Sequence, residues 1–182
     1  MEDIRIERMA ETIARYSAKV SKGELVSIRG GVVAEPLVRA LYAECLKLGA
    51  FPYTQVGLPG MDELFFRYAN KEQIAYVSPI SKFEVGKVDV LISILSETNT
   101  RRLSGVNPKK QAAASVARQS IMKTFMKRSA EYERTKGKKG LRWTLTLFPT
   151  EAYAQDAEMS LHEYEDFVLA ACFADKPGGI RR

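Results

Sequence analysis

Val88-Asp89-Val90-Leu91-Ile92-Ser93-Ile94-Leu95 is the run on which the fold turns. It is β-branched and apolar at consecutive positions, so both faces of the strand need cover. That places it in the middle of a parallel sheet. Towards the N-terminus, Leu25 to Arg29 reads as a short strand ending at Gly30-Gly31. Ala34 to Leu48 reads as a helix, with Pro36 in its first turn, an apolar stripe of Leu37, Leu41, Cys45 and Leu48, and Gly49 as its stop. Phe51 to Val56 is a second strand, so the three segments predict a right-handed parallel crossover. Before them, Ile6, Met9, Ile13, Tyr16 and Val20 recur at helical spacing from about Asp3 to Val20.

Beyond the second strand, Leu58-Pro59-Gly60 breaks the chain and Met61 to Asn70 is a short helix. Asn107-Pro108 supplies a cap and a first-turn proline for a long helix running to about Tyr132. Leu141 to Phe148 is a fourth strand. Ser160-Leu161-His162-Glu163 is a capping box that opens a last helix, which runs to about Phe173. The alternation predicts an α/β fold: an open, mainly parallel sheet with helices on both faces, three-layered and Rossmann-like. One domain over residues 1–176 and a tail over 177–182 are expected. Sites in such sheets lie beyond the carboxyl ends of the strands. Those ends are Arg29-Gly30-Gly31, Glu97-Thr98-Asn99 and Pro149-Thr150-Glu151.

The chain has 182 residues, 46% hydrophobic and 27% charged, which suits a packed domain and excludes disordered, collagenous and coiled-coil classes. No apolar run approaches the ~20 residues of a membrane span, and Met1-Glu2-Asp3-Ile4-Arg5 has no signal-peptide character. Two cysteines cannot build a disulfide framework, so a cytoplasmic protein without membrane contact is expected. The single His162 rules out a multi-histidine metal site within this chain.

The formal charge of +6 is unevenly spread. Residues 101–142 hold 13 basic and 2 acidic side chains, net +11, between flanks of −1 and −4. Arg101, Arg102, Lys109, Lys110, Lys138 and Lys139 are the candidate basic surface. Such a segment can bind RNA or an acidic partner through its cations. A solvated helix face bearing Arg118, Lys123, Lys127, Arg128 and Arg134, followed by a mobile loop at Lys136-Gly137-Lys138-Lys139-Gly140, explains it more cheaply. Neither aromatic interleaving nor finger spacing supports nucleic acid.

The other candidates have plain readings. Arg29-Gly30-Gly31 lacks the G-x-G-x-x-G spacing of a dinucleotide loop, and a tight strand-to-helix turn accounts for it. His162 reads as a surface residue, and Cys45 and Cys172 as small buried hydrophobes. The connector Phe148 to Met159 is rich in small and polar residues at a strand's carboxyl end. It reads equally as a ligand- or domain-facing surface and as a short helical connector.

That connector also carries a resemblance. Trp143 to Thr150 followed by Ala152 to Ser160, Gly23 to Gly30, Ala34 to Tyr42, Gly49 to Tyr53 and Arg102 to Lys109 together resemble the aminopeptidase T and aminopeptidase S group of thermophilic metallopeptidases. The resemblance spans nearly the whole chain in order. It implies removal of N-terminal residues from peptides by two divalent metal ions (Zn, Co or Mn), which activate a water and polarise the scissile carbonyl, in a homodimer. The family's metal ligands lie in a carboxyl-terminal half, and no position here matches one. The resemblance therefore implies an amino-terminal domain that binds no metal itself and partners a metal-binding catalytic domain, shaping substrate access or dimerisation. Thr150, Tyr153, Gln155 and Asp156 are the expected inter-domain or substrate-facing residues. The chain alone is expected to be inactive. The alternative is a stand-alone binding module using segment 101–142.

Overall fold

The computed structural model describes residues 3–137 and 139–176. In chain order the elements are α1 (Ile4–Glu11), β1 (Leu25–Gly31), α2 (Glu35–Lys47), β2 (Phe51–Gly57), α3 (Met61–Tyr68), α4 (Lys71–Ala75), α5 (Pro79–Lys87), β3 (Val90–Leu95), α6 (Pro108–Arg134), β4 (Arg142–Leu147), α7 (Glu151–Asp156) and α8 (Leu161–Ala171). The strands form one sheet in the order β2-β1-β3-β4. β1 pairs in parallel with both β2 and β3. The Arg142 N–H donates to the Asp89 carbonyl and the Phe148 N–H to the Leu95 carbonyl, an equal advance along both strands, so β4 runs parallel too. This is the open parallel α/β sheet expected, with β3 internal.

The chain divides into two compact units. One takes the chain up to Gly57, Val90–Thr100 and the chain from Trp143; the other takes Leu58–Asp89 and Arg101–Arg142. In the sheet-bearing unit, Val26, Ile28, Val90, Ile92 and Ile94 share one cluster with Met9, Ile13, Leu37, Leu41, Cys45 and Leu169. These alternate strand positions point to one face, where helices cover them. In the helical unit the cluster is smaller: Phe66, Ile74 and Ala114, with Phe65, Leu103 and Val106 against them.

The first helix departs from the regular period expected of it. After Glu11 it widens into a π-helical turn over Thr12–Ser17, and the Ala18 N–H donates to the Ile13 carbonyl five residues back. A wider turn delays each side chain's return to the core face by about a residue. Ile13, Ala14 and Ala18 are therefore buried, while Tyr16, expected on the apolar face, is 64% exposed.

The reason for Gly30-Gly31 also differs from the turn expected. Both glycines lie inside β1, and Gly31 is extended, with φ −82° and ψ 161°. A Cβ on Gly31 would stand 2.9 Å from Ser96 Oγ, which accepts the Gly31 N–H at 2.8 Å. Close approach of two chain segments requires the glycine, not a turn.

Candidate functional site

Three strand ends of the sheet-bearing unit converge at the carboxyl edge. Gly31 ends β1 against Ser96, just past β3. One residue on, Glu97 is gripped through its backbone: Thr150 Oγ1 donates to its carbonyl at 2.6 Å, and its N–H donates to the Tyr153 hydroxyl at 3.2 Å. Thr150 is buried and also caps α7, accepting from the Tyr153 N–H at 3.4 Å. The connector after β4 is thus a short helix whose first turn holds the loop after β3.

Of the four connector residues singled out in the sequence, Thr150 and Tyr153 are engaged inside the unit. Gln155 and Asp156 lie exposed on α7. The Glu97 backbone is part of the same arrangement, and its only sequence signal was its place at a strand's end. His162 is 81% exposed, with Nε2 3.9 Å from Asp166 Oδ2. Cys45 is fully buried, and burial pushes its thiol pKa up to about 11; burial raises the Cys172 thiol as well. Neither is poised as a nucleophile at neutral pH.

A groove of about 620 Å³ opens between α1, α2 and α8, lined in part by Ile6, Pro36, Arg39, Glu44 and Phe148. Its buried carboxylate is already paired, since Glu44 meets Arg15 at 2.6 Å and Lys47 at 3.2 Å. Arg39 is paired with Glu35 at 2.7 Å.

In the helical unit a second groove of about 540 Å³ is lined by Gly60, Arg67, Arg102, Asn107 and Lys110, among others. Two of the candidate cations are drawn inward there. Arg102 Nε meets Asp62 Oδ2 at 2.7 Å, and Lys110 Nζ donates to the Phe66 carbonyl at 2.9 Å. Arg101, Lys109 and Lys139 are exposed; Lys138 lies outside the described residues.

Arg128, expected on a solvated face, is instead half-buried. Its guanidinium donates to the carbonyls of Val85, Val88 and Gly140, at 2.9 Å to Val85 and 3.0 Å to Gly140. The turn expected to be mobile is tied at its described residues: Thr135 Oγ1 accepts the Lys139 N–H at 3.0 Å and donates to the Lys139 carbonyl at 2.9 Å. At Gly140, φ is +114° and a Cβ would fall 2.5 Å from the Tyr132 nitrogen, so only glycine fits.

Among the described residues, no group of three or more His, Cys, Asp or Glu side chains is arranged to hold a metal ion. None of the helices searched among them is long and apolar enough to cross a membrane.

Comparison with solved structures places the chain beside the wild-type AmpT of Thermus thermophilus. The TM-score is 0.72 at 18% sequence identity, over 97% of this chain and 44% of that one. At that identity the likeness speaks for the fold. The chain spans less than half the length of this relative. No curated protein matches. A family profile, however, matches residues 2–182, and by that match the chain belongs to the thermophilic metalloprotease family M29, a family of metallo-aminopeptidases.

Proposed function

We propose that this chain works as the amino-terminal, non-metal-binding domain of a two-metal-ion aminopeptidase that removes N-terminal residues from peptides. It shapes substrate access or dimerisation, and the divalent ions (Zn, Co or Mn) are held by a catalytic domain elsewhere. The observation that carries the reading is one of extent: the family match runs over residues 2–182, while the chain corresponds to 44% of the structural relative's length. The family implies metal ions, and the lack of any group of three or more His, Cys, Asp or Glu side chains placed to hold one among the described residues supports ligands that lie elsewhere. No catalytic step is therefore assigned to these residues.

Within this reading the facing surface narrows to the exposed Gln155 and Asp156 of α7. Thr150 and Tyr153 hold that helix against the Glu97 loop. Purified chain supplied with cobalt, zinc or manganese is expected to release nothing from leucine-based peptide substrates, and metal-dependent turnover would overturn the reading. In a family-length protein, Gln155→Ala and Asp156→Ala are expected to change peptide kinetics or assembly. Unchanged kinetics and assembly would reject this surface.

A second reading is a binding module for RNA or an acidic partner on segment 101–142. It is favoured by the exposure of Arg101, Lys109 and Lys139 and by the net +11 of that segment. Salt-dependent association with a polyanion is its signature.

A further inference from the structure

α6 is 27 residues long and buries only Ala114, whereas α2, half that length, buries five residues. Ile121 and Phe125, half-buried, fall on the Ala114 side of the helix. Around the rest of its circumference Ala112, Ser115, Gln119, Met122 and Met126 follow at alternating spacings of three and four. All five are exposed, Met122 at 57% and Met126 at 59%. This is the a/d spacing of a helix-docking seam, about 21 Å long, with Ser115 and Gln119 as its polar positions. Val116, also exposed, adds apolar area along one edge. The two methionines give the carboxyl-terminal end an adaptable apolar surface, and Ala112 and Ser115 are small enough to let a partner backbone come close.

The flanks identify the occupant. Arg118 and Lys123, both exposed, sit on either side of the seam. From Pro108 to Ala130 there are six cations and no carboxylate. A second copy of this face would bring Arg118 and Lys123 against their own like charges. A nucleic acid would pair with the cations but leave Val116 and the methionines against phosphates. An acidic surface with an apolar centre satisfies both sets of residues.

We propose that the Ala112-Ser115-Gln119-Met122-Met126 face of α6 is a docking seam for an acidic amphipathic helix of a partner protein. The partner's apolar stripe packs on Met122 and Met126, and its carboxylates lie against Arg118 and Lys123. The proposal rests on the second functional reading and narrows it from any polyanion to a protein helix.

The test uses the whole chain and three labelled probes: a synthetic helix of about three heptads with a leucine seam and glutamate flanks, the same helix with lysine flanks, and an oligouridine RNA. The glutamate-flanked helix is expected to bind at least about tenfold more tightly than the lysine-flanked one, and more weakly as salt rises. Met122→Gln/Met126→Gln keeps the charge and the helix propensity, and is expected to weaken that binding by about tenfold. Arg118→Gln/Lys123→Gln should weaken it and flatten its salt dependence. Circular dichroism checks that the variants remain folded.

Equal binding of the acidic helix by wild type and the methionine variant overturns the seam while leaving the second reading in place. RNA binding as tight as that of the acidic helix, and indifferent to the methionines, overturns the protein partner. Self-association of the chain that the methionine variant abolishes assigns the face to a second copy instead. No association with either the acidic helix or the RNA removes the proposal and the second reading together.

Discussion

In the sheet-bearing unit, side chains as large as Met9, Ile28, Leu37, Leu41 and Ile92 are fully buried in one continuous cluster. In the helical unit, the cluster around Phe66, Ile74 and Ala114 is small. Polar ties recur there: Arg128 across three carbonyls, Lys110 on the Phe66 carbonyl, Arg102 on Asp62, and the Asn70–Gln73 capping box. The first unit is held by burial of apolar area, which is non-directional and tolerant of detail. The second depends more on directional bonds, each sensitive to loss of one partner. The helical unit also holds the exposed methionines of α6 and most of the excess positive charge. It therefore carries the residues on which the docking seam is proposed.

The contrast can be broken in order of expected effect. Leu41→Ala, in the packed cluster, is expected to destabilise by about 3 kcal/mol in urea unfolding, whereas Met122→Ala on the open face of α6 should stay within about 0.5 kcal/mol. Equal costs would erase the distinction. Arg128→Met is expected to cost about 2 kcal/mol by taking a donor from the carbonyls of the buried Val85 and Val88 and of Gly140. Its increase in amide exchange should concentrate in residues 79–88 and 128–142. An equal increase in β1 and β3 would show that the two units do not respond separately.

Gly31→Ala drives a methyl group against Ser96 Oγ and should cost about 1–2 kcal/mol. In a Ser96→Ala background the same change should cost less, and an undiminished cost would place the strain elsewhere. Thr150→Ala removes the cap of α7 and one bond to Glu97, for about 1 kcal/mol by thermal unfolding.

The smallest effect concerns acid. Asp3's carboxyl is held below its ordinary value chiefly by its bond with the Arg5 side chain, and Glu163's chiefly by that with the Ser160 side chain. A carboxyl lowered in the folded state contributes stability that is present above its unfolded pKa and lost as pH falls through the folded one. Both contributions should therefore fade below about pH 4. Asp3→Asn should flatten the acid side of the stability profile slightly, and an unchanged profile would deny Asp3 a role.

Much of the fold was legible because its signals are local. The β-branched run of β3 needs two covered faces, and the strand–helix–strand spacing around α2 admits a parallel crossover. Asn107-Pro108 and Ser160…Glu163 mark helix starts through bonds made within one turn. Asn70…Gln73 carries the same kind of signal for α4, but that helix spans only Lys71–Ala75, too short for an apolar period to mark it. The candidate site was legible only in outline. The strand ends at Gly31, Glu97 and Thr150 follow from topology, but nothing in residue spacing says that Thr150 and Tyr153 turn to the Glu97 backbone.

The sequence by itself determined the class of fold, the position of its four strands along the chain, the caps of its long helices and the placing of its charge, since each follows from neighbours along the chain. Only the tertiary structure decided that Tyr16 leaves the core, that Arg128 points inward and that Ser96 leaves no room for a Cβ at Gly31. It also decided that Met122 and Met126 stand uncovered. Those outcomes depend on what lies across from a residue in space, and a linear pattern carries the period of a side chain but not the identity of the surface it meets.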